Sequence, residues 1–282
     1  MNSGIPRACV MGHPVGHSRS PMIHGYWLDQ MGLPGGYDLV DRAPSEFAHF
    51  FTRLKVGGYV GGNVTVPHKE AAYRLVDRRD EVAEAVGAVN TVWFEGDTLV
   101  GGNSDPYGFV ANLDELAPGW SVPNCHALIL GAGGVARSAA FALRKRGAAV
   151  ALANRTVARA VELAAHFGVH VQAFGFDALP SLVAHADLVV NCTSLGMIGK
   201  PPLDVDLGPL KPGAVVYDVV YVPLETALLS QARARGHRVV DGLGMLLHQA
   251  GFGFEKWFGA MPDVTPGLRT IVESDIRAKS PK

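Results

Sequence analysis

The chain is expected to be an α/β protein of two successive α/β domains, the second built on a doubly wound parallel sheet. Three observations carry this expectation. Short apolar runs alternate with helical patterns from the N-terminus to beyond residue 230. One of these runs ends in a glycine turn that opens a helix, and a second strand pattern follows in order. At 282 residues and 48% hydrophobic content, the chain is long and apolar enough for two cores.

The first unit covers residues 1–105. A strand over 8–11 leads to a helix over 20–31, with Ser20 a good N-cap and Pro21 well placed at the first helical position. A strand over 37–40, a helix over 45–55 and a strand over 62–66 follow, and Pro67 opens a helix reaching about residue 76. Residues 89–94 and 98–101 read as a hairpin around Glu95, Gly96 and Asp97.

The second unit, 106–241, begins with a helix at Pro106 that leads through Pro118 and Trp120 to the run His126-Ala-Leu-Ile-Leu. That run ends in Gly131-Ala132-Gly133-Gly134-Val135-Ala136. Gly131 makes the tight turn, Gly133 lets the backbone approach a pyrophosphate, and Ala136 takes the third, close-packing position of G-x-G-x-x-G/A. A helix over 135–146 would aim its free N–H groups at the phosphates. Further strands are expected over 150–153, 188–191, 214–218 and 238–240, while residues 170–174 are ambiguous. The unit is therefore Rossmann-type. Helices over 245–258 and 266–278, within a C-terminal segment of 242–282, are expected to return to the first unit. The cleft between the two units is the default ligand site.

At the tip of the second nucleotide-domain strand, NAD-binding proteins usually carry an acid that grips the ribose 2′-OH. Here the tip is Asn154, Arg155 and Thr156, with Arg159 a turn later. An arginine pairs with a 2′-phosphate and a carboxylate repels it, so the residues read as NADP-binding. The alternative is that these arginines are only solvated charges at a helix start.

Composition narrows the class. A net charge of −1 gives no reason to expect nucleic acid or an anionic membrane as partner. No stretch approaches a bilayer span, and the N-terminus lacks a signal-peptide core. Cys9, Cys125 and Cys192 are odd in number and widely spaced, which suits a reducing cytoplasm. The histidines show no ligand spacing, so no metal is expected.

Three polar clusters lie in the first unit. Gly12 to Pro21 holds Ser18 and Ser20 where a strand gives way to a helix, a natural seat for a carboxylate, although a capping role explains Ser20 equally well. Asn63 to Glu70 contains Thr65 and places Lys69 in the first turn of a helix, against the positive end of its dipole. A lysine so placed is a proton-transfer candidate or simply a solvated charge. The third cluster joins Asn90 and Thr91 to Asn103, Ser104 and Asp105, at opposite ends of the hairpin. Asp105 reads either as a partner for a lysine or as an N-cap.

Together these pieces resemble the shikimate dehydrogenase family. The matching motifs are G-x-P-x-x-H-S-x-S-P from Gly12, N-V-T-V-P-x-K from Asn63, G-A-V-N-T from Gly87 and N-x-D from Asn103. G-A-G-G-x-A-R from Gly131, N-R-T from Asn154 and D-G-L-G-M-L-x-x-Q from Asp241 complete the set, covering nearly the whole chain in order. The resemblance implies reversible, NADP-dependent interconversion of 3-dehydroshikimate and shikimate in aromatic amino-acid biosynthesis. It implies that Ser18 and Ser20 hold the ring carboxylate, that Thr65, Asn90, Tyr221 and Gln249 bind the ligand, and that Lys69 and Asp105 form the catalytic dyad. On the cofactor side it implies Gly131, Ala132, Gly133, Gly134 and Val135, then Asn154, Arg155, Thr156 and Arg159, with Val219 and Gly242 at the nicotinamide end. One departure is that Pro106 stands where the family pattern has glycine after the aspartate, with Gly108 two positions on.

Two alternatives remain within reach. Relatives act on quinate or an amino analogue of shikimate, with NAD or mixed cofactor use, but Arg155 and Thr156 speak against that branch. A non-catalytic NADP-binding regulator on the same fold would have no need for Lys69 and Asp105 together. The expected partner is a small molecule, and the expected assembly a monomer or homodimer.

Overall fold

The computed structural model describes residues 4–279. Residues 1–3, part of the segment weighed against a signal peptide, and residues 280–282 lie outside the described residues. The chain divides into two compact units, one holding the chain up to Ser104 with Leu247–Val272, the other Asp105–Leu246 with the chain from Glu273.

In the first unit the order is β1 (Arg7–Gly12), α1 (Ser20–Met31), β2 (Gly36–Asp41), α2 (Pro44–Phe51), β3 (Tyr59–Val64) and α3 (Lys69–Leu75). Then come β4 (Arg78–Arg79), α4 (Glu81–Val86), β5 (Thr91–Glu95) and β6 (Thr98–Gly102). Its sheet runs β2-β1-β3-β5-β6-β4. β1 pairs parallel with β2 and β3, and β5 pairs antiparallel with β3 and with β6. Every residue of β1 after Arg7 is buried, as a strand covered on both faces requires. One face packs Cys9, Met11 and Val64 against Phe47 and Phe51 of α2. The other packs Ala8, Trp93 and Val100 against Trp257, whose indole N–H donates to the Val92 carbonyl at 2.9 Å.

In the second unit the order is α5 (Asp105–Leu116), β7 (His126–Leu130), α6 (Gly134–Lys145), β8 (Ala149–Ala153), α7 (Val157–Phe167), β9 (Val171–Phe174) and α8 (Leu179–His185). β10 (Leu188–Asn191), β11 (Val215–Asp218), α9 (Ala227–Ala234) and β12 (Arg238–Val240) follow. α10 (Leu243–Phe258) and α11 (Pro266–Lys279) close the chain. The strands lie in the order β12-β11-β10-β7-β8-β9, all parallel. Counted from β7 this is the doubly wound dinucleotide-binding order, reversing between β7 and β10. Side chains alternate strictly between two cores. Ile129, Leu152, Val190 and Tyr217 face α5, α6 and α7, while Leu128, Val189 and Val216 face α8 and α9.

Several boundaries differ from expectation. α2 stops at Phe51, four residues early, and a run of turns carries the chain to β3 at Tyr59. α3 starts at Lys69, because Pro67 lies in a turn in which the His68 N–H donates to the Thr65 carbonyl at 2.9 Å. β4 and α4 were not anticipated. Their signal lay in Asp80, whose carboxylate caps α4 by accepting from the Ala83 N–H at 2.6 Å, and in Gly87, which ends it at φ +71°. The ambiguous 170–174 stretch is β9, an edge strand with only Val171 buried, which explains its weak apolar pattern.

Candidate functional site

In the first unit the polar residues gather at the carboxyl ends of β1 and β3 and at the β5–β6 hairpin. The Thr65 N–H donates to the Met11 carbonyl at 2.9 Å, and the His13 N–H to the Val66 carbonyl at 3.1 Å, so the two strand ends are stitched together. Ser20 is not the N-cap of α1. It occupies the first helical position behind Arg19, whose own side chain makes no cap bond. Instead the Ser18 hydroxyl donates to the Ser20 hydroxyl at 3.2 Å and accepts from the Ser20 N–H at 3.3 Å. Both hydroxyls thus sit together at the N-terminus of α1, where the positive dipole end favours an anionic ligand.

Lys69, half-buried, opens α3, and its carbonyl accepts from the Val89 N–H at 3.1 Å. That bond ties the start of α3 to the turn carrying Asn90. Asn90 is 2% exposed. Its Oδ1 accepts from the Thr91 hydroxyl and the Ser104 N–H, both at 2.8 Å. Its Nδ2 lies 3.1 Å from the Ser104 hydroxyl and 3.4 Å from Gln249 Oε1. Gln249 comes from α10, about 160 residues away in sequence, to meet the hairpin. The two ends of the hairpin therefore do meet, through Asn90 and Ser104. Thr65, half-buried, follows β3 directly. Asp105, 8% exposed, is the first residue of α5 in the other unit. Pro106 falls in the first turn of α5, where its missing N–H has no intrahelical partner to lose.

In the second unit Gly131 ends β7 at φ +108°, a conformation that favours glycine, and its N–H donates to the Ala153 carbonyl at 2.8 Å. No atom lies within 4 Å of where a side chain would begin at Gly133 or Gly134. Packing is thus not what keeps these positions bare, and the backbone stays open to an incoming group. α6 has neither a side-chain cap nor an acid in its first turn. Its orphan N–H groups and positive dipole end suit a pyrophosphate. At the tip of β8, Arg155, Thr156 and Arg159 are exposed, and the Asn154 amide donates to the Thr156 carbonyl at 2.8 Å. No acid stands between β8 and Glu162. The donor set fits a 2′-phosphorylated dinucleotide. Gly242 packs directly on the Val219 carbonyl, so that a methyl group there would overlap it. The two expected nicotinamide-end residues are therefore in contact. Tyr221 is half-buried in the loop after β11.

A buried network at the ends of β10 and β11 escaped the sequence reading. Asp218 accepts from the Thr226 hydroxyl at 2.6 Å, the Asn191 amide at 2.9 Å and the Val220 N–H at 3.0 Å. Asn191 in turn holds Thr193, N–H and hydroxyl, through its own Oδ1. This fixes the loop that carries Val219 and Tyr221. Burial, opposed by these hydrogen bonds, pushes the Asp218 carboxyl up to about 6 from 3.8. Between those values the native carboxyl holds a proton that the unfolded chain has released, so stability falls as pH rises through the window. Asp218→Asn lacks this penalty. Relative to wild type it should gain about 2–3 kcal/mol between pH 4 and pH 7, measured by urea unfolding. A constant difference across that range would contradict the assignment.

Among the described residues no group of three or more His, Cys, Asp or Glu is placed to hold a metal ion. No described helix is long and apolar enough to cross a membrane.

Family models match three stretches: the shikimate dehydrogenase substrate binding domain over residues 10–92, shikimate / quinate 5-dehydrogenase over 115–198, and the shikimate 5′-dehydrogenase C-terminal domain over 242–271. The shikimate dehydrogenase (NADP(+)) of Azorhizobium caulinodans is 54% identical over 276 residues, 98% of each chain. The chain belongs to the shikimate dehydrogenase family. Shikimate 5-dehydrogenase from Thermus thermophilus, solved with NADP(H) and shikimate, superposes with a TM-score of 0.84 at 34% identity, covering 97% of this chain and 99% of its own. Quinate dehydrogenase from Corynebacterium glutamicum, solved with NAD, gives a TM-score of 0.87 at 31% identity, covering 95% and 99%. The first family match spans β1 to β5, with Ser18, Ser20, Thr65, Lys69 and Asn90, and the third includes Gln249. Shikimate dehydrogenase motifs were thus readable as strings. The Asp218 network was not, because its members are hydrophobic-strand endings and loop hydroxyls with no spacing rule of their own.

Proposed function

We propose that this chain catalyses the reversible, NADP-dependent reduction of 3-dehydroshikimate to shikimate, the activity for which its nearly full-length relatives are named. The observation that carries the reading is the exposed, acid-free tip of β8 with Arg155, Thr156 and Arg159, in a chain whose other unit gathers Ser18, Ser20, Asn90 and Gln249. Ser18 and Ser20 take the ring carboxylate, and Thr65, Asn90, Tyr221 and Gln249 take the ring oxygens. Gly131, Ala132, Gly133, Gly134 and Val135 hold the pyrophosphate, while Asn154, Arg155, Thr156 and Arg159 hold the 2′-phosphate. Val219 and Gly242 receive the nicotinamide, which when bound supplies or accepts the hydride.

Hydride reduction leaves negative charge on the former carbonyl oxygen, and Lys69 Nζ delivers the proton that neutralises it. In the reverse direction the same group takes the hydroxyl proton. Asp105 is its carboxylate partner in the exchange. The three cysteines are all free thiols, which supports a reducing, cytoplasmic setting.

Initial rates with shikimate and with quinate, each against NADP and NAD, test the assignment. Shikimate with NADP should be fastest. Faster turnover of quinate with NAD would move the chain to the quinate branch, and cofactor binding without any turnover would make it a regulator.

A further inference from the structure

We infer that Thr91 is a positioning residue for the ligand site, acting through Asn90 and Ser104 to turn the N–H2 of Gln249, rather than its carbonyl, toward the substrate. This rests on the proposed function and adds a direction to the hydrogen bonds that lead from Thr91 to Gln249. Two backbone groups, whose roles cannot be exchanged, set those directions. The Ser104 N–H can only donate, and it reaches Asn90 Oδ1 at 2.8 Å. The Asn90 carbonyl can only accept, and Asn63 Nδ2 reaches it at 3.2 Å.

The Ser104 hydroxyl also reaches Asn90 Oδ1, at 3.3 Å, and Thr91 Oγ1, at 3.4 Å, so the nearer Thr91 hydroxyl decides whether Ser104 is left to face Gln249. Asn90 Oδ1 has a second lone pair, filled by the Thr91 hydroxyl at 2.8 Å. Having given its single proton, Thr91 Oγ1 accepts from Asn63 Nδ2 at 3.2 Å. Asn63 Oδ1 then needs a donor, and Tyr37 supplies it at 2.6 Å. Burial pushes the Tyr37 phenol well above its ordinary value of 10, so it keeps that proton. On the other side Asn90 Nδ2 has only protons to offer. It gives one to Ser104 Oγ at 3.1 Å and one toward Gln249 Oε1 at 3.4 Å, and Ser104 passes its own proton to Gln249 Oε1 at 3.1 Å. With Oε1 engaged by two donors, the Gln249 group remaining for a ligand is Nε2, a donor. The site therefore selects an acceptor oxygen at that position.

Thr91 is 0% exposed, Ser104 1% and Asn90 2%, so water does not substitute for a missing link. Asn63 faces Thr91 across β3 and β5 by strand register, which holds the relay rigid.

Thr91→Val keeps the shape and removes the hydroxyl. It should raise the KM for shikimate about tenfold, with kcat and the KM for NADP within about twofold of wild type. Thr91→Ser should restore the wild-type KM. An unchanged shikimate KM in Thr91→Val, or a Thr91→Ser variant as impaired as Thr91→Val, would overturn the inference, the latter by showing that the methyl alone matters. Should Thr91→Val fail to bind NADP, Ser104→Ala, which removes the hydroxyl that donates to Gln249 Oε1, decides: a raised shikimate KM supports the relay and an unchanged one removes it. A wild-type enzyme inactive on shikimate is a separate outcome, and would remove the functional reading itself.

Discussion

Lys69→Ala is expected to lower turnover by about two to four orders of magnitude, the usual value of a positioned proton donor. NADP binding should be nearly unaffected, since the residues assigned to the cofactor lie in the other unit. The position makes this a clean test. Lys69 is the first residue of a seven-residue helix, where a cation faces the positive end of the dipole at a cost of a few tenths of a kcal/mol or more. Alanine removes that mismatch and is the best helix former. Thermal stability should therefore hold or rise slightly while turnover collapses, a combination that loss of folding cannot imitate. The Lys69 backbone carbonyl, which holds Val89, survives the substitution. Steady-state rates with shikimate and NADP, beside a melting curve, decide it. Unchanged turnover would retire Lys69 as the proton donor.

Arg155→Asp should move cofactor preference from NADP toward NAD. A charge-assisted hydrogen bond is worth about 1.5–3 kcal/mol, so its loss alone lowers kcat/KM for NADP about ten- to a hundredfold. The new carboxylate adds repulsion against the 2′-phosphate and offers an acceptor to the 2′-OH of NAD, so the NAD value should rise. Arg155 is exposed, and the tip of β8 is shaped by backbone and by the Asn154–Thr156 bond rather than by its side chain. The fold should therefore tolerate the change. If the ratio of kcat/KM values for the two cofactors stayed constant, Arg155 would be one of the solvated helix-start charges instead.

These two substitutions concern residues visible in the linear chain. Lys69 and Arg155 each follow a strand within a few positions, and their neighbours, N-V-T-V-P before one and a glycine turn upstream of the other, carry their own local chemistry. The nucleotide-binding sheet was legible for the same reason. Its strands are short apolar runs, its crossovers are helices, and the handedness rule leaves few ways to order them. Local reading went astray where a neighbour in space outweighed a neighbour in sequence. Ser20 looks like a cap, yet it is the first helical residue and its hydroxyl pairs with Ser18. Pro67 looks like a helix start, yet the turn that returns His68 to Thr65 delays α3 to Lys69.

Linear order alone sufficed for the family, the two α/β units and the identity of most candidate site residues. These follow from periodicity, turn chemistry and motifs confined to about ten consecutive positions each. The hydrogen-bond directions of the first-unit polar cluster and the burial of Asp218 belong to the folded molecule. Asn63, Thr91, Ser104 and Gln249 come from three strands or their ends and a helix, and only sheet register and the packing of α10 bring them within hydrogen-bond distance. A hydrogen bond between residues far apart in the chain has no signature in sequence spacing, because its partner is chosen by where the backbones are, and that is settled by the cores on either side.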